Sequence, residues 1–192
     1  MKERKKSLHR STGETEIDLT LDFNSRDIEL GLRLPFFSHM LNAMAFHGGF
    51  SLSIGAQGDI DVDPHHLIED IGLVMGSALY EIVEDTGPVN RFGHSVIVMD
   101  DALSEVTIDA ANRPFMVFHA DFPQQTIGAF DTALVAEFLT ALSNSAKITL
   151  HGACRYGRNS HHMVEALFKA LGKAIGQAYS PVEQLLSTKG VL

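Results

Sequence analysis

"HHLIEDIGLVMGSAL" at residues 65–79 and "HHMVEALFKALGKAI" at residues 161–175 lie on each other without a gap. Two histidines, a glutamate, a glycine and an alanine coincide, each pair 96 positions apart in a chain of 192 residues. An offset of half the chain length marks an internal duplication. Leu67, Ile71, Val74, Ala78 and Ile82 fall at helical spacing. The first copy therefore reads as a helix over 63–85, with Asp63 as N-cap and Pro64 at the first position. The second copy reads as the closing helix, capped by Asn159 or Ser160.

Working outward, residues 15–23 and 28–34 alternate apolar and polar side chains and read as strands joined near Asn24-Ser25. Residues 35–49 open on Pro35 and close on Gly48-Gly49, the punctuation of a short helix. "FSLSIGAQGDIDV" returns to strand before the first repeated helix. The second half keeps this order: strands over 94–120, a helix over 131–145, the strand "AKITLHGA", then the closing helix. The fold class implied is α+β, a duplicated strand-strand-helix-strand-helix half whose mixed sheets pack against a layer of helices. We expect one domain over 1–192, with halves at about 12–93 and 94–180 and the sheets together on one side of the helices. The opening "MKERKKSLHR" has no apolar stretch behind it and reads as a solvated basic arm rather than a secretory signal.

Composition narrows the function. No apolar run approaches the roughly 18 to 20 residues of a membrane span. A net charge of -9 disfavours nucleic acid as a partner and leaves a small ligand. The single cysteine, Cys154, cannot form an internal disulfide, which points to a reducing, cytoplasmic setting. Ten histidines are the unusual count, and four of them form two adjacent pairs.

On a helix His65 and Glu69 share a face, as do His161 and Glu165, so each pair can chelate one ion. The neighbours His66 and His162 project about 100° away and suit a different ion. Cross-donation follows: one ion takes His161, Glu165 and His66, the other His65, Glu69 and His162, with the helix starts meeting within one chain or between copies. His39 and His151 lie in segments feeding the two motifs and could complete these shells. His9, His47, His94 and His119 read as ordinary polar residues. Nitrogen-rich ligands with a carboxylate suit Mn, Fe, Co, Ni or Zn. A binuclear metallohydrolase or a metal-binding cage would use the same residue types. Ferritin-like sites, however, place Glu-x-x-His on long bundle helices.

"FFSHMLNAMAFHGGF" (36–50), "GDIDVDPHHLIEDIG" (58–72), "NRFG" (90–93), "RPF" (113–115), "GRNSHHMVEALFKALGKAI" (157–175) and "STKGVL" (187–192) resemble the imidazoleglycerol-phosphate dehydratases of histidine biosynthesis, in order from about Thr12 to Leu192. The resemblance implies conversion of imidazoleglycerol phosphate to imidazole acetol phosphate and water by a metal-dependent hydro-lyase with two Mn(II) ions per site. It assigns His39, His66, His161 and Glu165 to one ion and His65, Glu69, His151 and His162 to the other. Metal binding at both ring nitrogens would let the imidazole push out the neighbouring hydroxyl. Glu165 would take the proton and Glu14 assist at the hydroxyl; by itself Glu14 reads as an exposed strand residue. Arg91, Arg113, Lys169 and the tail residues Ser187, Thr188 and Lys189 match positions that bind the phosphorylated substrate, where guanidinium forks suit phosphate. The resemblance also implies a shell of 24 subunits with active sites at the interfaces. Three positions depart from the usual pattern: Ser38 where aspartate is common, Asp101 where glutamate is usual, and "ANRP" in place of Ser-Gly before the arginine.

Overall fold

The computed structural model describes residues 4–184. In chain order the first half contains β1 (Lys5–Ser11), β2 (Thr15–Asp22), β3 (Ile28–Gly31), α1 (Pro35–Gly48), β4 (Ser51–Gly58) and α2 (His65–Thr86). The second contains β5 (Phe92–Met99), β6 (Ala102–Asp109), β7 (Phe115–His119), the short β8 (Thr126–Ile127) and β9 (Phe130–Asp131), α3 (Leu134–Ala146), β10 (Thr149–Tyr156) and α4 (Ser160–Ala178). Period-2 burial builds both sheets: β2 turns Ile17, Leu19 and Leu21 inward, and β6 does the same with Val106 and Ile108. The sheets have matching orders, β1-β2-β4-β3 and β5-β6-β10-β7, each with one parallel pair at the end.

From Lys5 onward the basic opening segment is not a solvated arm. Lys5 to Ser11 pair antiparallel with Asp22 to Glu16 as the edge strand of the first sheet. Only Leu8 packs against the core, so the apolar signal in the sequence is slight. Charge holds the rest: Lys6 Nζ lies 2.6 Å from Asp85, and Arg10 Nη2 lies 2.9 Å from Asp70. A lysine-bearing edge strand also discourages pairing with another chain. Each half therefore carries strand-strand-strand-helix-strand-helix, one strand more than the periodicity indicates, and the second half adds the short β8–β9 hairpin before its first helix.

Helix starts depart by a few residues. α2 begins at His65, and Asp63 Oδ1 accepts the His65 N–H at 2.9 Å, so the aspartate retains a capping role. Asn159 caps α4, its side-chain oxygen accepting from His161 N at 2.9 Å. α3 begins at Leu134 because Phe130 and Asp131 pair with Ile127 and Thr126.

The sheets flank the helices instead of lying together on one side. α2 rests on β1 and β2 and meets α3; α4 rests on β5 and β6 and meets α1. One continuous core joins both halves. The glycine common to the two repeated segments has its reason here. A Cβ on Gly76 would stand 2.6 Å from Leu142 O of α3, and one on Gly172 would stand 2.0 Å from Met44 O of α1. Each glycine lets a helix of one half rest directly on the backbone of a helix of the other.

Gly172→Ala is expected to lose about 1–3 kcal/mol by overpacking. Helix propensity alone would gain about 1 kcal/mol. Urea unfolding measures the sign, and a more stable variant would show that α1 and α4 separate without cost.

Candidate active site

The close approach of α1 and α4 brings together residues that are 126 positions apart in sequence. His39 lies in the second turn of α1, and His161 and Glu165 lie one turn apart at the head of α4. Glu165 Oε2 is 3.1 Å from His161 Nε2 and 3.3 Å from His39 Nε2. Phe36 sets its ring edge-on to His161, with centroids 5.2 Å apart. Glu165 is 7% exposed, and its Oε1 sits 2.8 Å from Lys169 Nζ. Burial pushes this carboxyl upward, but the bonds from Lys169 and His39 outweigh it and hold Glu165 below its ordinary pKa.

A second group forms at the head of α2. His66 Nδ1 lies 3.2 Å from Asp59 Oδ2 and 3.6 Å from Glu14 Oε2. The bond to Asp59 leads the causes that raise the His66 pKa. The other oxygen of Asp59, Oδ1, is buried without a hydrogen-bond partner. His65 Nε2 is 3.6 Å from Glu69 Oε2, one turn along the same helix. His162 turns away from the Glu165 group: its Nδ1 is 2.6 Å from Asp101 Oδ1. Asp101 Oδ2 also accepts the Arg158 N–H at 2.5 Å and the Asn159 N–H at 3.2 Å. These backbone bonds, first that of Arg158, and the His162 contact pull the Asp101 carboxyl down to about 2.

One chain thus brings together His39, His161 and Glu165, three of the four residues assigned above to one ion. Their ligand atoms lie within 4.8 Å of one another. His66 instead joins Glu14 and Asp59, a second such group. His65 and Glu69 stand together, while His162 has its own carboxylate and His151 lies elsewhere. Along β10, Leu150, Gly152 and Cys154 face the helices, so exposed His151 lies on the outer face of its sheet. Among the described residues no hydrogen bond or ion pair reaches its ring. Two imidazole nitrogens and a largely buried carboxylate fit a first-row divalent ion.

Of the anion-binding candidates, Arg91 and Arg113 form their own cluster, whereas Lys169 stands with Glu165. Arg91 Nε is 2.6 Å and Nη2 3.1 Å from the two oxygens of Asp109, and Arg113 Nη2 is 2.9 Å from Asp109 Oδ2. Asp109 is buried enough to raise its pKa, yet the two guanidiniums hold it below the ordinary carboxylate range. Ser187, Thr188 and Lys189 lie outside the described residues. Ser38, beside His39, donates its hydroxyl to Leu34 O at 3.0 Å, a bond within its own helix.

Sequence reasoning missed Asp59, Asp109 and the contact of Asp101 with His162. The duplication held a signal for Asp101. Glu14 stands directly before β2 and Asp101 directly before β6, and each faces the second histidine of its half's pair.

Matching four-stranded sheets around a shared helical layer, with a buried carboxylate held between two imidazoles and a lysine, define the class as a duplicated α+β protein with a centre able to hold a metal ion. The sequence model of imidazoleglycerol-phosphate dehydratase matches residues 33–175. The dehydratase of Bacillus subtilis is 45% identical over 194 residues, covering 98% of this chain and all of that protein. The dehydratase of Geobacillus kaustophilus is 46% identical, covering 98% of this chain and 99% of its own. The crystal structure of the Staphylococcus aureus dehydratase superposes with a TM-score of 0.85 at 35% identity, covering 93% of this chain and 99% of that one. The Pyrococcus furiosus enzyme, in complex with (S)-C348, gives 0.86 at 36%, covering 96% of this chain and all of that one. The chain belongs to the imidazoleglycerol-phosphate dehydratase family, and its activity class is that of a hydro-lyase.

Lys169→Met removes the nearest cation from Glu165, so the Glu165 pKa is expected to rise. The ionised carboxylate is then lost at a higher pH as acid is added. An NMR titration of the carboxylate in chelator-treated protein measures the shift, and an unmoved titration would remove Lys169 as its cause.

Proposed function

We propose that this chain converts imidazoleglycerol phosphate to imidazole acetol phosphate and water in histidine biosynthesis, with two divalent metal ions, Mn(II) by preference, at each site. The observation that carries this reading is Glu165, a buried carboxylate kept ionised by Lys169 and aimed between His39 and His161. When bound, the metal ions supply Lewis-acid stabilisation of the substrate's imidazole as an anion. His39, His66, His161 and Glu165 would hold one ion and His65, Glu69, His151 and His162 the other.

The remaining work belongs to side chains. The substrate carbon that loses its proton has no adjacent carbonyl to acidify it, so the base must be held ionised close to the ring. Glu165 meets that need. Glu14, 3.6 Å from His66 and with its side chain more than half exposed, would assist at the departing hydroxyl. Arg91, Arg113 and Lys169, with Ser187, Thr188 and Lys189 of the tail, bind the phosphate end.

A complete site draws on more than one copy of the chain. His151 stands on the outer face of the second sheet, away from the helix heads that carry its proposed co-ligands. Phe92, Val96, Val98 and Phe115 are exposed on the strands of that sheet, an apolar surface suited to a like subunit. We infer a homo-oligomer, of 24 subunits by family resemblance, with metal sites at its interfaces. Buried, reduced Cys154 is in keeping with a cytoplasmic setting.

The deciding assay follows imidazole acetol phosphate formation after Mn(II) is returned to chelator-stripped protein. Product is expected only with metal, and none from folded, metal-loaded protein would refute the assignment. Glu165→Gln is expected to cost about 10²–10⁴-fold in kcat. Chelation should shift the assembly to smaller species by size-exclusion chromatography, because a shared ion stabilises the interface.

A further inference from the structure

Arg91 and Arg113 are both cations, and holding them side by side costs energy unless something between them repays it. Asp109 stands there. Its Oδ1 accepts Arg91 Nε at 2.6 Å, and its Oδ2 accepts both Arg91 Nη2 at 3.1 Å and Arg113 Nη2 at 2.9 Å. The first contact is a bidentate fork, the geometry that fixes a guanidinium plane as well as its position. Further features secure this arrangement. Arg91 has a left-handed backbone, with φ 71, fixed by Arg91 N to Ala178 O at 2.9 Å and Ala110 N to Arg91 O at 2.9 Å. Its guanidinium also lies over the Phe92 ring, 4.7 Å from the centroid. Arg113 spends an Nη2 bond on Asp109 while its side chain stays 63% exposed.

The cluster faces outward on the same surface as His151. Asp109 pairs with Phe92 on one side and Thr149 on the other, and the next row of that face is His94, Thr107 and His151. Two residues along a strand span about 7 Å. The arginine pair therefore opens beside a proposed metal ligand, about one phosphorylated three-carbon unit away.

We propose that Asp109 is the positioning residue of the phosphate site: it locks Arg91 and Arg113 into one preformed clamp for the phosphate of the substrate. This rests on the reading that these two arginines bind that phosphate. Asp109 itself does not touch the anion. Its negative charge weakens attraction for phosphate, whereas its three hydrogen bonds remove the repulsion and rotamer freedom that the arginines would otherwise retain. Preorganisation is the larger effect, because long charged side chains lose most of their rotamer entropy when they are immobilised.

The two effects have opposite signs, so Asp109→Asn decides between them. Inorganic phosphate is the probe, as a competitive inhibitor of the metal-loaded oligomer. Preorganisation predicts phosphate inhibition weakened by about tenfold, the loss of one charge-assisted contact. KM for the phosphorylated substrate rises in step, and kcat changes less than KM. Unchanged or tighter phosphate inhibition would overturn the proposal, since Asp109 would then act only as a repelling charge. Arg91→Lys leaves Asp109 in place and keeps the cation but cannot form the fork. It too should weaken phosphate inhibition, and wild-type inhibition in a folded Arg91→Lys protein would overturn the proposal even if Asp109→Asn failed to fold. Arg113→Ala tests the underlying reading separately: phosphate inhibition untouched by that change would show that the arginines do not hold the phosphate.

Discussion

Two successive residues on a helix point about 100° apart, and this constraint governs the site. A His-His-x-x-Glu head offers one imidazole and one carboxylate on a common face and sends the second imidazole elsewhere. No single helix start can therefore surround an ion with all three groups. The chain responds by repetition, with two such heads, and by giving each stray histidine a carboxylate outside its own helix. His66 meets Asp59 and Glu14, and His162 meets Asp101. A carboxylate on Nδ1 leaves Nε2 as the ring atom presented to a ligand, so these contacts orient each ring and set its tautomer.

What completes the Glu165 group is helix packing. His39 reaches Glu165 because α1 and α4 touch backbone to backbone, and they touch because positions 48, 172 and 176 carry no side chain. The counterpart of Gly172 in the other repeat brings α2 onto α3. Packing and chemistry are thus one design requirement, in which a residue remote from the site sets the distance between an imidazole and a carboxylate. Ser38 shows the limits of adjacency: it neighbours His39 in sequence, yet its hydroxyl serves its own helix.

The repeated helices, their caps and most strands were legible because periodicity and end signals are local properties. Residues 65–79 and 161–175 announced the duplication, the helix faces and the His–Glu pairs one turn apart. β1 was not legible, since its strand character depends on pairing with β2 and on ion pairs to α2, with Leu8 as its main apolar contact. Nor was the placement of the sheets on both sides of the helices, because a period-2 pattern tells which face of a strand is buried and not what buries it. Asp59 and Asp109 escaped for a related reason. Both fall in segments that read as strands, where an aspartate on the polar face reads as solvated, and only the fold brings His66 or two arginines to it.

Duplication also made its two halves unequal in a way that bears on their roles. Glu14 and Asp101 occupy equivalent positions, directly before the second strand of each half. Asp101 is saturated: it accepts two backbone N–H groups and one imidazole, and its carboxyl stays ionised down to a pH of about 2. Such a group orients but does not exchange protons near neutrality. Glu14 lies 3.6 Å from His66, with its side chain 57% exposed. Glu14 thus keeps oxygens open to solvent in the first half, whereas the oxygens of Asp101 are engaged in the second. Equivalent positions have diverged, one into a strut for His162 and the other into a largely exposed carboxylate beside His66.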